Sequence, residues 1–189
     1  MKYRGKGFMS DKDSVDLKDF DTKRLYKVWL GVLQRSYCEK LKSRNTWYKD
    51  VGVSENFLDF NFFLSWSKSQ IGYNVPDWQL DKDILVKGNK TYSPETCCFV
   101  PREVNNIFIR SLKQDKELPV GVTMQRNGKY RARVNWEGVE KCLGAYEDID
   151  DASLSYKTAK EAYAREVAEK WKGVVDVRIY KALMEHKED

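Results

Sequence analysis

The sequence contains a single histidine, His186, close to the C-terminus. No imidazole therefore lies near the segment that otherwise looks most like a catalytic core, WQLDKDILVKGNKTYSPETCCFVP from Trp78 to Pro101, followed by Arg102-Glu103-Val104-Asn105-Asn106. Any acid–base chemistry in that segment has to do without the side chain best suited to it near neutral pH. The four cysteines (Cys38, Cys97, Cys98, Cys142) show no CxxC spacing, so no zinc is expected and reduced thiols are the plain reading. No run of eighteen apolar residues occurs, which leaves nothing to span a membrane as a helix. The first residues, MKYRGKGFMSDKDSVDLKDF, lack the apolar stretch of a secretory signal, and a cytoplasmic location is expected.

What is present suits a folded protein: 189 residues, 41% hydrophobic, 13% aromatic and 33% charged. Six Trp, eleven Tyr and eight Phe supply enough apolar area for two small cores. A net charge of +5 is weak evidence of a polyanionic partner. Its distribution says more. Arg126, Lys129, Arg131 and Arg133 fall within ten residues that contain no acid, the local excess expected of a nucleic-acid face.

The patterning predicts an α+β chain. Residues 1–19 read as a mobile arm and 20–110 as one domain. Leu25, Trp29, Val32 and Leu33 recur at helical spacing between Asp21 and Glu39, with Asp21 or Thr22 as N-cap. A second helix is expected from Phe57 to Trp66. A strand near Trp78–Val86, a turn at Lys87-Gly88-Asn89, a strand near Thr91–Phe99 and a helix from Pro101 to about Arg110 follow. Residues 111–119 read as a linker. From 120 to 172 come three short strands, Val120–Met124, Lys129–Trp136 and Val139–Tyr146, joined by Arg126-Asn127-Gly128 and Glu137-Gly138 turns. A long helix from Asp150 to Lys172 carries Ala152, Tyr156, Ala159, Ala162 (or Tyr163), Val167 and Trp171 inward. The remainder, 173–189, holds a last helix over about 174–185.

In the middle strand Tyr130, Ala132, Val134 and Trp136 share one face, and Lys129, Arg131, Arg133 and Asn135 the other. In the first, Val122 and Met124 are expected inward, Thr123 and Gln125 outward. The outward face is chemically fit to read a DNA groove, because arginine matches guanine edges and phosphates bidentately while Gln and Asn match adenine. A solvated antiparallel face is the alternative. The stretch from Leu118 to Ala164 resembles the plant ethylene-response-factor (Apetala-type) DNA-binding domain, through Gly121-Val122, Gly128-Lys129-Tyr130, Leu143-Gly144 with Tyr146, and Asp151-Ala152 with Tyr156. The resemblance implies that Thr123, Gln125, Asn127, Arg133, Asn135, Glu140 and Cys142 meet double-stranded DNA. Thr123 and Gln125 stand where the family has arginines, Asn127 and Cys142 where it has tryptophans, and Arg133 where it has a glutamate. The family's docking face carries over; its target sequence does not.

In the core segment, Asp81 and Asp83 are expected on one strand face, with Asn105 or Asn106 approaching from the helix. Such oxygen ligands suit Mg²⁺ that retains several waters. The alternative is a solvent-facing acidic pair, with Lys82 paired to one of them or extended to water. The order of Leu25-Tyr26-Lys27-Val28-Trp29, Arg35-Ser36-Tyr37, Val51-Gly52-Val53 with Phe57 and Phe60, Leu80-Asp81-Lys82-Asp83, Tyr92-Ser93-Pro94-Glu95-Thr96-Cys97 and Val100-Pro101 resembles phage HNH-type endonucleases that carry an Apetala-type domain. The resemblance implies a ββα-metal core with Asp81 and Asn105 as ligands of Mg²⁺ or Mn²⁺. Lys82 falls at the position of the histidine base and Thr96 at that of a loop-bracing asparagine. Lysine ionises near 10.4, and acidic neighbours move it further from the working range of a base. Asp83 or a metal-bound hydroxide is then the remaining base, with Lys82 on the scissile phosphate. The expectation is a DNA-binding protein whose cleavage is weak, altered or lost. The alternatives are a non-catalytic regulator or inhibitor of a host nucleic-acid or defence system, and a module whose sheet meets an acidic host protein.

Overall fold

The computed structural model describes residues 5–109 and 117–188. Its compact units are Met1–Arg102 and Glu103–Asp189. Of the expected linker, residues 111–116 lie outside the described residues, as do residues 1–4 of the expected arm and Arg110 at the end of the expected helix. No described helix is long and apolar enough to cross a membrane.

The first unit is built on α1 (Phe20–Tyr37), capped by Asp19 rather than Asp21 or Thr22: its carboxylate accepts from the Thr22 N–H at 2.7 Å. The expected apolar stripe is buried, with Leu25, Trp29, Val32 and Leu33 fully enclosed. After α2 (Glu39–Arg44) and a 3₁₀ turn (Thr46–Tyr48), β1 (Gly52–Val53) leads to α3 (Glu55–Leu58) and α4 (Phe60–Lys68). The predicted single helix over 57–66 is thus two. Asp59 breaks it, because its extended backbone bridges to Phe8 while its carboxylate caps Asn61 and takes both the Ser10 N–H (3.0 Å) and Oγ–H (2.6 Å). The same contacts hold residues 8–14 against this corner, with Asn61 Nδ2 donating to the Asp11 carbonyl at 2.7 Å. Phe57, Phe60 and Phe63 are fully buried, and Trp29 Nε1 donates to the Phe57 carbonyl at 2.8 Å.

The predicted long hairpin is shorter and differently paired. β2 (Gln79–Asp81) pairs antiparallel with β4 (Cys98–Val100), Asp81 opposite Cys98. Between them β3 (Thr91–Tyr92) pairs parallel with β1, a partner nearly forty residues away that local periodicity does not reveal. The helix after Pro101 is α5 (Arg102–Phe108).

In the second unit β5 (Val122–Met124), β6 (Tyr130–Trp136) and β7 (Val139–Tyr146) form an antiparallel sheet in that order, packed on α6 (Ile149–Trp171). Glu137 and Gly138 both take positive φ (54° and 80°), as a two-residue hairpin requires. Val122, Ala132 and Ala152 form the sheet–helix core, with Tyr130, Leu143 and Tyr146 against it. Tyr163, not Ala162, turns inward, its ring tilted against that of Trp136 with centres 4.8 Å apart. Met124 is 64% exposed rather than buried. It occupies the last rung of edge strand β5, opposite Tyr130 before the turn. The last helix, α7 (Val177–Met184), buries Ile179 and Leu183, and Tyr180 donates to Glu169 of α6 at 2.7 Å. Glu103 of α5 accepts from Trp171 Nε1 and Lys170 Nζ, each at 2.9 Å.

Candidate functional site

The sheet of the second unit turns Thr123, Gln125, Arg131, Arg133, Asn135, Glu140 and Cys142 away from α6. The alternation that predicted this face holds along β6, where Ala132 and Val134 are buried while Arg131 and Asn135 are exposed. One feature of β7 was not legible. A bulge at Ala132/Arg133 sets Arg133 opposite Cys142 and Ala132 opposite Gly144, so that Leu143 is the extra residue and packs into the core. Arg131 lies opposite Thr123 on one side and Ala145 on the other, and Asn135 opposite Glu140.

The basic side chains of this face are already engaged. Arg133 Nη1 donates to Glu140 Oε1 at 2.9 Å. With its amide oxygen turned to the guanidinium, Gln125 accepts from Arg131 Nε at 2.7 Å and from its Nη2. Lys129 pairs with Glu147 at 2.6 Å, and Asn127 uses its side chain within the turn, accepting from the Lys129 N–H. The acid-free window of the sequence is therefore partly neutralised by acids of β7 and its exit. Arg131 and Arg133 are thus each oriented by a neighbouring side chain rather than extended freely into solvent.

In the first unit the chain leaves β2 at Asp81. Its Oδ1 accepts from the N–H groups of Asp83 and Ile84, both at 2.8 Å, a turn that bends residues 82–86 out of the strand. Asp83 consequently does not share a strand face with Asp81, as the alternation had implied. Lys82 curls back: its side chain is 11% exposed, and Nζ binds Asp83 Oδ2 at 2.9 Å and the Asn89 carbonyl at 3.3 Å and lies 5.8 Å from the Tyr92 ring centre. The loop is braced by Asn89, whose Nδ2 donates to the carbonyls of Lys82 (2.6 Å) and Thr91 (2.8 Å) and whose Oδ1 accepts from the Thr91 N–H. Thr96 adds a bond from Oγ1 to the Thr91 carbonyl at 3.0 Å. In sequence Asn89 reads only as a turn residue beside Gly88. Asn105, the other ligand implied by resemblance, stands on α5 in the second unit.

Burial pushes the Asp81 carboxyl up to about 6, the nearby Asp83 carboxylate adds to the rise, and the two backbone N–H groups oppose it. Burial likewise raises the Tyr92 hydroxyl and the Cys97 thiol, each to about 12, so both stay protonated near neutrality. For Asp81 the raised value sets a sign. Between its ordinary 3.8 and about 6 the unfolded chain releases a proton that the folded chain keeps, so stability from this group falls as pH rises through that window. Asp81→Asn, which keeps an oxygen for the two N–H groups, is expected to stabilise the protein at about pH 8 and to lose that advantage towards about pH 4. Urea unfolding at the two pH values measures it; the same difference at both would contradict a buried ionised Asp81.

Among the described residues no group of three or more His, Cys, Asp or Glu side chains converges on a metal position. Mg²⁺ or Mn²⁺ that keeps most of its waters needs only one or two carboxylates, and Asp81 fits as one, since its Oδ2 takes neither backbone N–H. Asp83 is occupied by Lys82. No protein-family model, curated protein or solved structure matches the chain.

Proposed function

We propose that the chain is a double-stranded-DNA-binding protein of the phage HNH-like kind, with an Apetala-type reading sheet, whose metal-dependent cleavage is weak or lost. The observation that carries this reading is the pair Arg131 and Arg133. They lie two residues apart on the outward face of β6, each oriented by a neighbouring side chain on a sheet backed by a long helix. Guanidinium groups pre-set in this way match guanine edges and phosphates with little ordering cost. Thr123, Gln125 and Asn135 supply adaptable hydrogen bonds around them.

The loss of cleavage is supported by Lys82. Where the resemblance calls for a base, this ammonium is nearly enclosed and bonded to Asp83 and the Asn89 carbonyl, so it has no lone pair to offer. Asp83, the remaining candidate base, is tied to the same ammonium. A protein of this kind acts by occupancy in a host cytoplasm, as a regulator or inhibitor of a nucleic-acid or defence system.

Plasmid nicking with Mg²⁺ or Mn²⁺ tests it. Wild type is expected to nick at or near background, and Lys82→His to gain cleavage if only the base is missing. Robust metal-dependent nicking by wild type that Asp81→Ala abolishes would overturn the non-cleaving reading and leave the binding reading in place. Absence of duplex affinity, with capture of an acidic protein by the same face, would overturn both.

A further inference from the structure

Arg35, on the last turn of α1, belongs to a motif that the sheet-centred reading leaves without a role. Its Nε donates to the Tyr92 hydroxyl at 2.8 Å, and its Cζ lies 5.3 Å from the Tyr92 ring centre. Arg35 is half-buried, yet it makes no ion pair with an acid among the described residues. A guanidinium has five N–H groups, and the bond to Tyr92 uses one. For this half-buried arginine, a hydroxyl in place of a carboxylate leaves the charge without a counter-ion and most of its N–H groups for water or a ligand.

Tyr92 has the complementary surplus. It is 5% exposed, and its oxygen already accepts from Arg35, so its own proton needs an acceptor. None is found for it among the described residues. A buried O–H without an acceptor is unfavourable, and water or a ligand oxygen has to meet it. The hydroxyl does not ionise near neutrality, because burial holds it at about 12. Lys82 Nζ lies over the same ring. Cations from α1 and from the loop after β2 thus flank the ring of one β3 tyrosine.

We propose that Arg35 and Tyr92 form a binding site for a phosphodiester, with the free Arg35 N–H groups and the Tyr92 O–H donating to the two non-bridging oxygens of a nucleic-acid backbone phosphate. Bidentate guanidinium recognition of such oxygens is the geometry for which arginine is selected over lysine, and the fixed Nε–hydroxyl bond presets it. This inference rests on the first unit being a nucleic-acid-facing core, and it does not depend on the sheet. It assigns backbone holding to this unit and base reading to Arg131 and Arg133.

The test is the Arg35 Nε–Hε resonance of ¹⁵N-labelled full-length protein, identified by its loss in Arg35→Lys. Diethyl phosphate and a short duplex are each expected to shift it, and Tyr92→Phe, which keeps the ring, to weaken the diethyl phosphate response about tenfold. A silent Arg35 resonance with diethyl phosphate overturns the proposal. So does a response to inorganic phosphate alone, which would mark a site for the free ion. If Arg131→Ala with Arg133→Ala leaves duplex affinity unchanged while diethyl phosphate still shifts Arg35, the sheet reading fails and this one stands. If the double variant weakens duplex binding while Arg35 stays silent, the reverse holds.

Discussion

Replacing Arg131 and Arg133 together with alanine is expected to lower duplex affinity by about a hundredfold and to reduce the slope of its logarithm against that of salt by roughly two. Each well-placed bidentate arginine contributes about 1–3 kcal/mol to base or phosphate recognition. Their partners reduce the free charge but also prepare the geometry. The pairing makes one consequence directional. Removing Arg133 alone leaves Glu140 unpaired on the proposed reading face, so the single variant is expected to lose both an attraction and a shield. Glu140→Ala removes the acid and is expected to strengthen non-specific duplex binding at low salt. Glu140→Gln keeps an acceptor for Arg133 Nη1 without the charge, and is expected to bind at least as tightly while retaining sequence preference. Fluorescence anisotropy across a salt series measures all of these. A double variant within about twofold of wild type at every salt concentration would show that the duplex does not meet this face.

Gly121→Val is expected to cost the second unit about 3 kcal/mol or more. Gly121 has φ of +73°, where a β-branched residue is strained, and a Cβ there would lie inside the van der Waals envelope of the Tyr156 ring. Tyr156 is buried on α6 and cannot swing clear without lifting the strand from the helix. Overpacking of this kind costs about 1–3 kcal/mol, and the backbone strain adds about another 1–3. The Gly121 carbonyl also accepts from the Arg133 N–H at 2.8 Å, so displacement of this strand reaches the proposed reading face. Gly128→Ala is the control: φ is +83°, yet nothing lies within 4 Å of the added Cβ. It is expected to lose only about 1 kcal/mol. Urea unfolding with hydrogen exchange at β6 amides separates the two, and equal losses would refute the close Gly121–Tyr156 packing.

The Asp81 turn illustrates how far periodicity reaches. Leu80-Asp81-Lys82-Asp83 reads as a strand with two acids on one face, since alternation alone cannot register that a side chain will compete with the ladder. The carboxylate of Asp81 captures two N–H groups ahead of it and ends the strand at that residue. Asp59 does the same to the predicted helix over 57–66, with partners at Phe8 and Ser10. In both places a short polar side chain overrode a pattern, and the residue type was a warning that the pattern did not weigh.

Sequence by itself determined the apolar stripe of α1, the order of β5, β6, β7 and α6 with their bounds to within two residues, and which face of β6 carries arginine. These depend on periods of 3.6 and 2, which the chain writes locally. Only the tertiary structure decided what those side chains are joined to: Arg133 to Glu140, Arg131 to Gln125, Lys82 to Asp83 and the Asn89 carbonyl, Arg35 to Tyr92. It also decided the bulge that brings Leu143 into the core and the parallel pairing of β1 with β3. The reason is physical. A charge or hydroxyl takes its character from the groups around it, and here many of those groups arrive from other elements, in the case of Arg35 and Tyr92 from 57 residues along the chain.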